Sequence, residues 1–199
     1  MKKGLLTGGI GSGKSTVGSI FNALNIPVYN SDQEAKKLMM QNELVKKKII
    51  QAFGEQSYVE GDLNTGFLAK SVFGNLDQLQ ILNDIVHPAV FEHFLKWAEN
   101  FQAPYVLQES ALISNLGHYY TPDFVIYVFA PETIRIQRTV QRDKRREREI
   151  KQRIKAQASD DLFRKIATYI VDNDGNHSVI PQVFEIHQKI IKTSVKASV

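Results

Sequence analysis

The chain has 199 residues, 43% hydrophobic and 23% charged, with 12 Gly and 6 Pro. That composition excludes disordered, collagen-like and low-complexity chains and is enough for one substantial core. Lys plus Arg number 25 against 21 Asp plus Glu; the resulting net charge of +4 is too mild to imply nucleic acid, and the absence of Cys excludes disulfides and thiolate metal sites.

Residues 1–10 open like a short signal peptide, but Thr7, Gly8 and Gly9 interrupt the apolar run before a hydrophobic region forms. No stretch approaches the roughly 20 apolar residues of a membrane span, so a cytoplasmic protein with no membrane partner is expected. Short apolar runs at 5–7, 27–30, 105–109, 124–130 and 169–172 read as strands, the fourth apolar throughout, as in a parallel sheet covered on both faces. Helix-period segments lie at 14–24, 32–41, 43–53, 77–100, 133–157 and 179–192. This alternation predicts an α/β fold with right-handed crossovers. Residues 33–103 contain no strong strand signal and read as a helical insertion, and 192–199 reads as a frayed tail. The segment 135–157 holds ten Lys or Arg against three acids, so the chain's basicity is concentrated in one helical stretch.

Gly8-Gly-Ile-Gly-Ser-Gly13-Lys14-Ser15 matches G-x-x-x-x-G-K-[ST] in full. Glycines let the backbone of Gly9, Ile10, Gly11, Ser12 and Gly13 wrap so that successive N–H groups face a phosphate. Lys14 adds a charge for the β- and γ-phosphates, Ser15 offers a hydroxyl to Mg²⁺, and the helix starting there, through Thr16, directs its positive end at the same anion. The motif follows a strand-like run and opens a helix-like one, which is the context it requires.

Four further features have more than one reading each. Asp32, just past the second strand, suits a base accepting a hydroxyl proton; alternatively Ser31-Asp-Gln-Glu34 is a capping box and Asp32 serves the helix dipole. Glu109 ends the third strand, where a carboxylate meets Mg²⁺, or it faces solvent. The basic segment fits a lid over ATP, a solvated helix or a phosphate-binding face for nucleic acid. His87-Pro88 ends or bends a helix, with His87 as a hydrogen-bonding residue or a catalytic one. The remaining His offer no metal-ligand spacing, and Phe91, Phe94 and Trp97 lie at core spacing.

Thr7 to Thr16, the strand ending before Asp32, Leu82-Asn-Asp-Ile-Val-His87-Pro88, Arg138-Thr-Val-Gln-Arg142-Asp, Arg153-x-x-x-Gln157 and Ile170-Val-Asp-Asn173-Asp-Gly175 occur in that order. On these motifs the chain resembles the dephospho-CoA kinases over nearly all of residues 4–190. The resemblance implies a P-loop three-layer α/β/α core with a five-stranded parallel sheet, built from 1–32, 104–134 and 159–199. It also implies a helical CoA-binding domain at 33–103 and a lid at 135–158. The implied reaction is transfer of the γ-phosphoryl of Mg-ATP to the ribose 3′-hydroxyl of dephospho-CoA, the last step of coenzyme A synthesis. Asp32 becomes the base, Arg142 with Arg138 the lid cations near the phosphates, Asn173 and Gly175 the loop beside adenine, and His87 and Glu109 acceptor-side residues. No nucleic-acid partner is implied, and the protein would be a monomer or small homo-oligomer. Alternatives are another P-loop small-molecule or nucleoside monophosphate kinase, or a P-loop nucleotide-binding regulator. Three departures stand out. Asn30 replaces the first Asp of the family's Asp-Ala-Asp, Thr65 ends Gly61-Asp-Leu-Asn-Thr65 where an Arg is usual, and Ala111-Leu-Ile-Ser-Asn115 lacks the family's Pro and Glu.

Overall fold

In chain order the elements are β1 (Lys2–Thr7), α1 (Lys14–Ala23), β2 (Val28–Asn30), α2 (Ser31–Gln41), α3 (Glu43–Phe53), β3 (Tyr58–Val59), β4 (Asp62–Leu63), α4 (Thr65–Val72), α5 (Leu76–Ala98), β5 (Tyr105–Glu109), β6 (Phe124–Phe129), α6 (Glu132–Asp143), α7 (Glu147–Lys155), α8 (Asp160–Ile166), β7 (Tyr169–Asp172) and α9 (Val179–Val195). The computed structural model describes residues 1–111, 121–144 and 146–195. These fall into two compact units, Met1–Tyr29 with Phe101–Val199, and Asn30–Asn100. The departure at Leu112 to Asn115 lies outside the described residues.

In the first unit the strands form one sheet in the order β2-β5-β1-β6-β7, with β1 parallel to both neighbours and β7 parallel to β6. Leu6 pairs with Glu109 on one side and Ile126 on the other. Alternate side chains feed two cores. Leu6, Leu107, Ile126 and Val128 pack with Val17 and Phe21 of α1 and Val183, Ile186 and Ile190 of α9. Leu5, Val125 and Tyr127 pack with Phe163 of α8 on the opposite face, where the Tyr127 and Phe163 rings stack at 5.1 Å. Helices therefore cover both faces, and the α/β reading of the sequence holds. Gly4 is needed for close packing, since a Cβ there would overlap the Phe124 ring.

The second unit begins at the last residue of β2. Its four α-helices are all capped by asparagine: Asn30, Asn42, Asn64 and Asn75 each accept a backbone N–H from the first turn of α2, α3, α4 and α5. Such caps are each worth ~1 kcal/mol. The 23-residue α5 packs against α2, α3 and α4, burying Val86, Val90, Phe94 and Ala98. Phe94 is fully buried and stacks on Trp97 at 6.1 Å.

Several expectations need correction. The helix at 77–100 does not end or break at Pro88, which lies inside α5. The proline removes one hydrogen bond, but the buried stripe on both sides of it keeps the helix going. Residues 33–103 do contain strands, the small hairpin of β3 and β4, whose turn residues Glu60 and Gly61 both have positive φ (52° and 93°), the pattern of a type I′ turn. The helix expected at 133–157 is two helices, split where Lys144 takes φ +51°. Helices α4 and α8 were not foreseen. Ser31 is not the cap of α2; Asn30 is, its Oδ1 accepting from Gln33 N at 3.0 Å.

Candidate active site

The loop between β1 and α1 turns on glycines with positive φ, Gly11 at 76° and Gly13 at 95°. Residues with side chains rarely adopt that backbone. Space is as restrictive as torsion. A Cβ on Gly9 would overlap the Arg135 guanidinium, one on Gly11 would come within 2.5 Å of Thr139 Oγ1, and one on Gly13 would overlap the Asn173 amide. Gly13 also precedes α1 and gives that helix no side-chain cap. The amides of Gly11 and Gly13 make no hydrogen bond among the described residues, and the Ser12 hydroxyl is buried with no partner there. Inward-turned donors at a helix start are what an oligophosphate requires.

Lys14 Nζ lies back across the loop, donating to the carbonyls of Gly8 (3.0 Å) and Gly9 (3.2 Å). Phosphate oxygens would offer it stronger, charge-assisted bonds. Ser15 Oγ donates to Glu109 Oε1 at 2.7 Å, and Glu109 is buried at the carboxyl end of β5, beside β1. A hydroxyl and one carboxylate at a phosphate loop fit Mg²⁺, which takes few protein oxygens and completes its octahedron with phosphate and water. Thr16 is exposed in the first turn of α1.

Two arginines meet the loop. Arg135, only 5% exposed, donates through Nε to Ile10 O (3.1 Å) and through Nη1 to Asp160 (3.2 Å), the carboxylate that also accepts from the Tyr127 hydroxyl (2.8 Å). Burial, then that hydrogen bond, raises the Tyr127 pKa, so the phenol remains a donor. Arg138 Nη1 and Nη2 bond Asn173 O (3.1 Å) and Oδ1 (3.3 Å), and Asn173 Nδ2 donates to Ser12 O at 2.8 Å. Arg138 and Asn173, two site candidates from the sequence, are thus brought together at the loop. Next to them, Asp174 Oδ1 accepts the amides of Asn176 (2.9 Å) and His177 (3.1 Å), shaping the turn at Gly175, whose φ is +89°. These bonds, the Asn176 amide foremost, hold the Asp174 pKa below its usual value.

Arg142 is not brought to the loop. It lies exposed in the last turn of α6 and pairs with its neighbour Asp143 through Nε at 2.7 Å and Nη2 at 3.2 Å. Asp32 and His87 belong to the second unit. Asp32 is exposed in the first turn of α2, where its charge favours the helix dipole while Asn30 supplies the cap. His87 is half-buried on α5; desolvation lowers its pKa, opposed in part by Asp84 and Asp32. Sequence reading counted Arg135 only as one cation among ten and gave Gln157 no contact. Gln157 Oε1 accepts the Ile10 amide at 2.8 Å. The available signal for Arg135 was its place beside Ile136 on the apolar stripe of α6.

The family model for dephospho-CoA kinase matches residues 4–178. A curated relative, the dephospho-CoA kinase of Bacteroides fragilis strain YCH46, is 35% identical over 190 residues, covering 93% of each chain. Among solved structures, a Thermus thermophilus protein superposes with TM-score 0.80 at 28% identity, over 94% of this chain and 95% of that one. The dephospho-CoA kinase of Campylobacter jejuni superposes with TM-score 0.59 at 25% identity, over 95% and 97%.

Proposed function

The chain belongs to the dephospho-CoA kinase family, and from that premise we propose how its residues carry out the ATP-dependent phosphorylation of dephospho-CoA to CoA and ADP. The observation that carries the reading is the Gly8–Ser15 loop, whose Gly11 and Gly13 amides make no hydrogen bond among the described residues and whose Lys14 Nζ lies back across it on the Gly8 and Gly9 carbonyls. The Gly11 and Gly13 amides and Lys14 bind the β- and γ-phosphates, and Arg138 with Asn173 fixes the loop's flank. Ser15 and Glu109 are the residues that would hold Mg²⁺, which supplies charge neutralisation across the phosphates when bound.

Asp32 accepts the proton of the ribose 3′-hydroxyl as that oxygen attacks the γ-phosphorus, and ADP leaves. An exposed aspartate in the first turn of α2, just past the carboxyl end of β2, suits that role. His87, kept largely neutral by burial, offers a hydrogen bond to the acceptor rather than a charge. Residues 33–103 bind the acceptor, and 135–158 act as the lid, with Arg142 leaving Asp143 to offset transition-state charge. No helix among the described residues is long and apolar enough to cross a membrane, and we place the reaction in the cytoplasm. The test is ADP release with Mg-ATP and, separately, dephospho-CoA, AMP, CMP, shikimate or gluconate. Turnover confined to dephospho-CoA supports the proposal; turnover confined to another acceptor overturns it.

A further inference from the structure

Ile10, at the outer turn of the phosphate loop, is gripped by the segment 135–157 through three different groups. Its amide donates to Gln157 Oε1 at 2.8 Å, and its carbonyl accepts from Arg135 Nε at 3.1 Å. Its side chain packs on the Ile136, Val140, Ile150 and Ile154 cluster of α6 and α7. Arg135 is itself fixed by Asp160 at 3.2 Å, and its guanidinium lies against Gly9, with its Nη1 2.8 Å from where a Cβ would stand. Beyond Ile10 the Ser12 amide closes a turn onto Gly9 O at 3.2 Å, while the amides of Gly11 and Gly13 have no hydrogen-bond partner among the described residues.

From this arrangement we propose that Gln157 and Arg135 are positioning residues that hold the Ile10 peptide away from the phosphates, so that the Gly11 and Gly13 amides stay open to the phosphates of ATP. Neither touches the reacting atoms. Their effect passes through Ile10, and the segment that carries the lid's cations also sets the shape of the loop. A loop held in its binding shape before ATP arrives loses less conformational freedom on binding, so affinity for the phosphates depends on the brace. The inference rests on the ATP-site reading above.

The experiment is Gln157→Met in the full chain, a half-buried position where a side chain of similar length without the amide acceptor keeps the volume. The KM for ATP should rise about fivefold to tenfold, the loss of one hydrogen bond. The KM for dephospho-CoA should stay at its parent value, the melting temperature should fall by only the few degrees that one hydrogen bond is worth, and hydrogen exchange across Gly8–Gly13 should quicken without nucleotide. Combining it with Arg135→Lys should cost less in kcat/KM for ATP than the product of the two single losses, because both act through one residue. An unchanged ATP KM with unchanged exchange, an equal rise for both substrates, or strictly multiplicative losses would each overturn the brace. A parent protein that neither turns over nor binds ADP would instead overturn the ATP-site reading itself.

Discussion

Gly9→Ala separates two roles for a phosphate-loop glycine. The backbone at Gly9 needs no positive φ, so torsion does not object to alanine. Space does: the new methyl would overlap the Arg135 guanidinium, a side chain only 5% exposed. Moving that group breaks its pair with Asp160 and its bond to Ile10 O. Breaking a fully buried pair costs about 3–5 kcal/mol. Because the Asp160 side chain stays 37% exposed, about 2 kcal/mol is the better figure here. The Ile10 bond adds about 1 kcal/mol, for a total of about 3 kcal/mol. At this chain length the loss lowers Tm by about 6–12 °C. Thermal and urea unfolding of parent and variant without nucleotide is the assay. A variant with parental Tm and midpoint would refute the reasoning and leave Gly9 as a glycine kept only for the approach of phosphate.

Further outcomes follow from the same geometry. Asp32→Asn should lower kcat on the order of 10²-fold with Tm little changed, because Asn30 holds the cap, as paired kinetics and melts would register. Asn30→Ala should do the reverse in melts, costing ~1 kcal/mol of stability. Glu109→Gln should raise the Mg²⁺ concentration needed for half-maximal turnover several-fold, read by Mg²⁺ titration at fixed ATP. For His87, burial sets the folded pKa below the usual 6.5. The folded state therefore binds fewer protons than the unfolded one, and stability falls as pH drops from 6.5 through the lower folded value. His87→Asn should flatten that part of the stability–pH curve.

The sheet was readable because its strands are short apolar runs, and β5 and β7 fall at the expected residues. The phosphate loop was readable because its chemistry is a glycine spacing. What was hidden depends on contacts distant in sequence or on backbone states without a residue signature. Lys144 in the left-handed region divides α6 from α7, and a lysine gives no warning of that. Pro88 looked like an end or a bend because its local penalty is plain while the burial of Val86, Val90 and Phe94 is not. Asn caps were passed over in favour of a Ser-x-x-Glu pattern at Ser31, although the Asn30 side chain offers the same acceptor one residue earlier. Arg135 was lost in a count of cations, since charge composition weighs a guanidinium 5% exposed like one in water. Its partners Ile10 and Asp160 lie 125 and 25 residues away.

The central claim is that the Gly8–Ser15 loop transfers a phosphoryl group to one hydroxyl of dephospho-CoA. The most direct measurement is phosphorus NMR of the product formed from Mg-ATP and dephospho-CoA, with Lys14→Ala as the control. The account predicts a new phosphomonoester coupled to the ribose 3′ proton, matched one-for-one by ADP and absent with the Lys14 variant. Phosphate at another position, ADP formed with inorganic phosphate alone, or product formation that persists without Lys14 would contradict it.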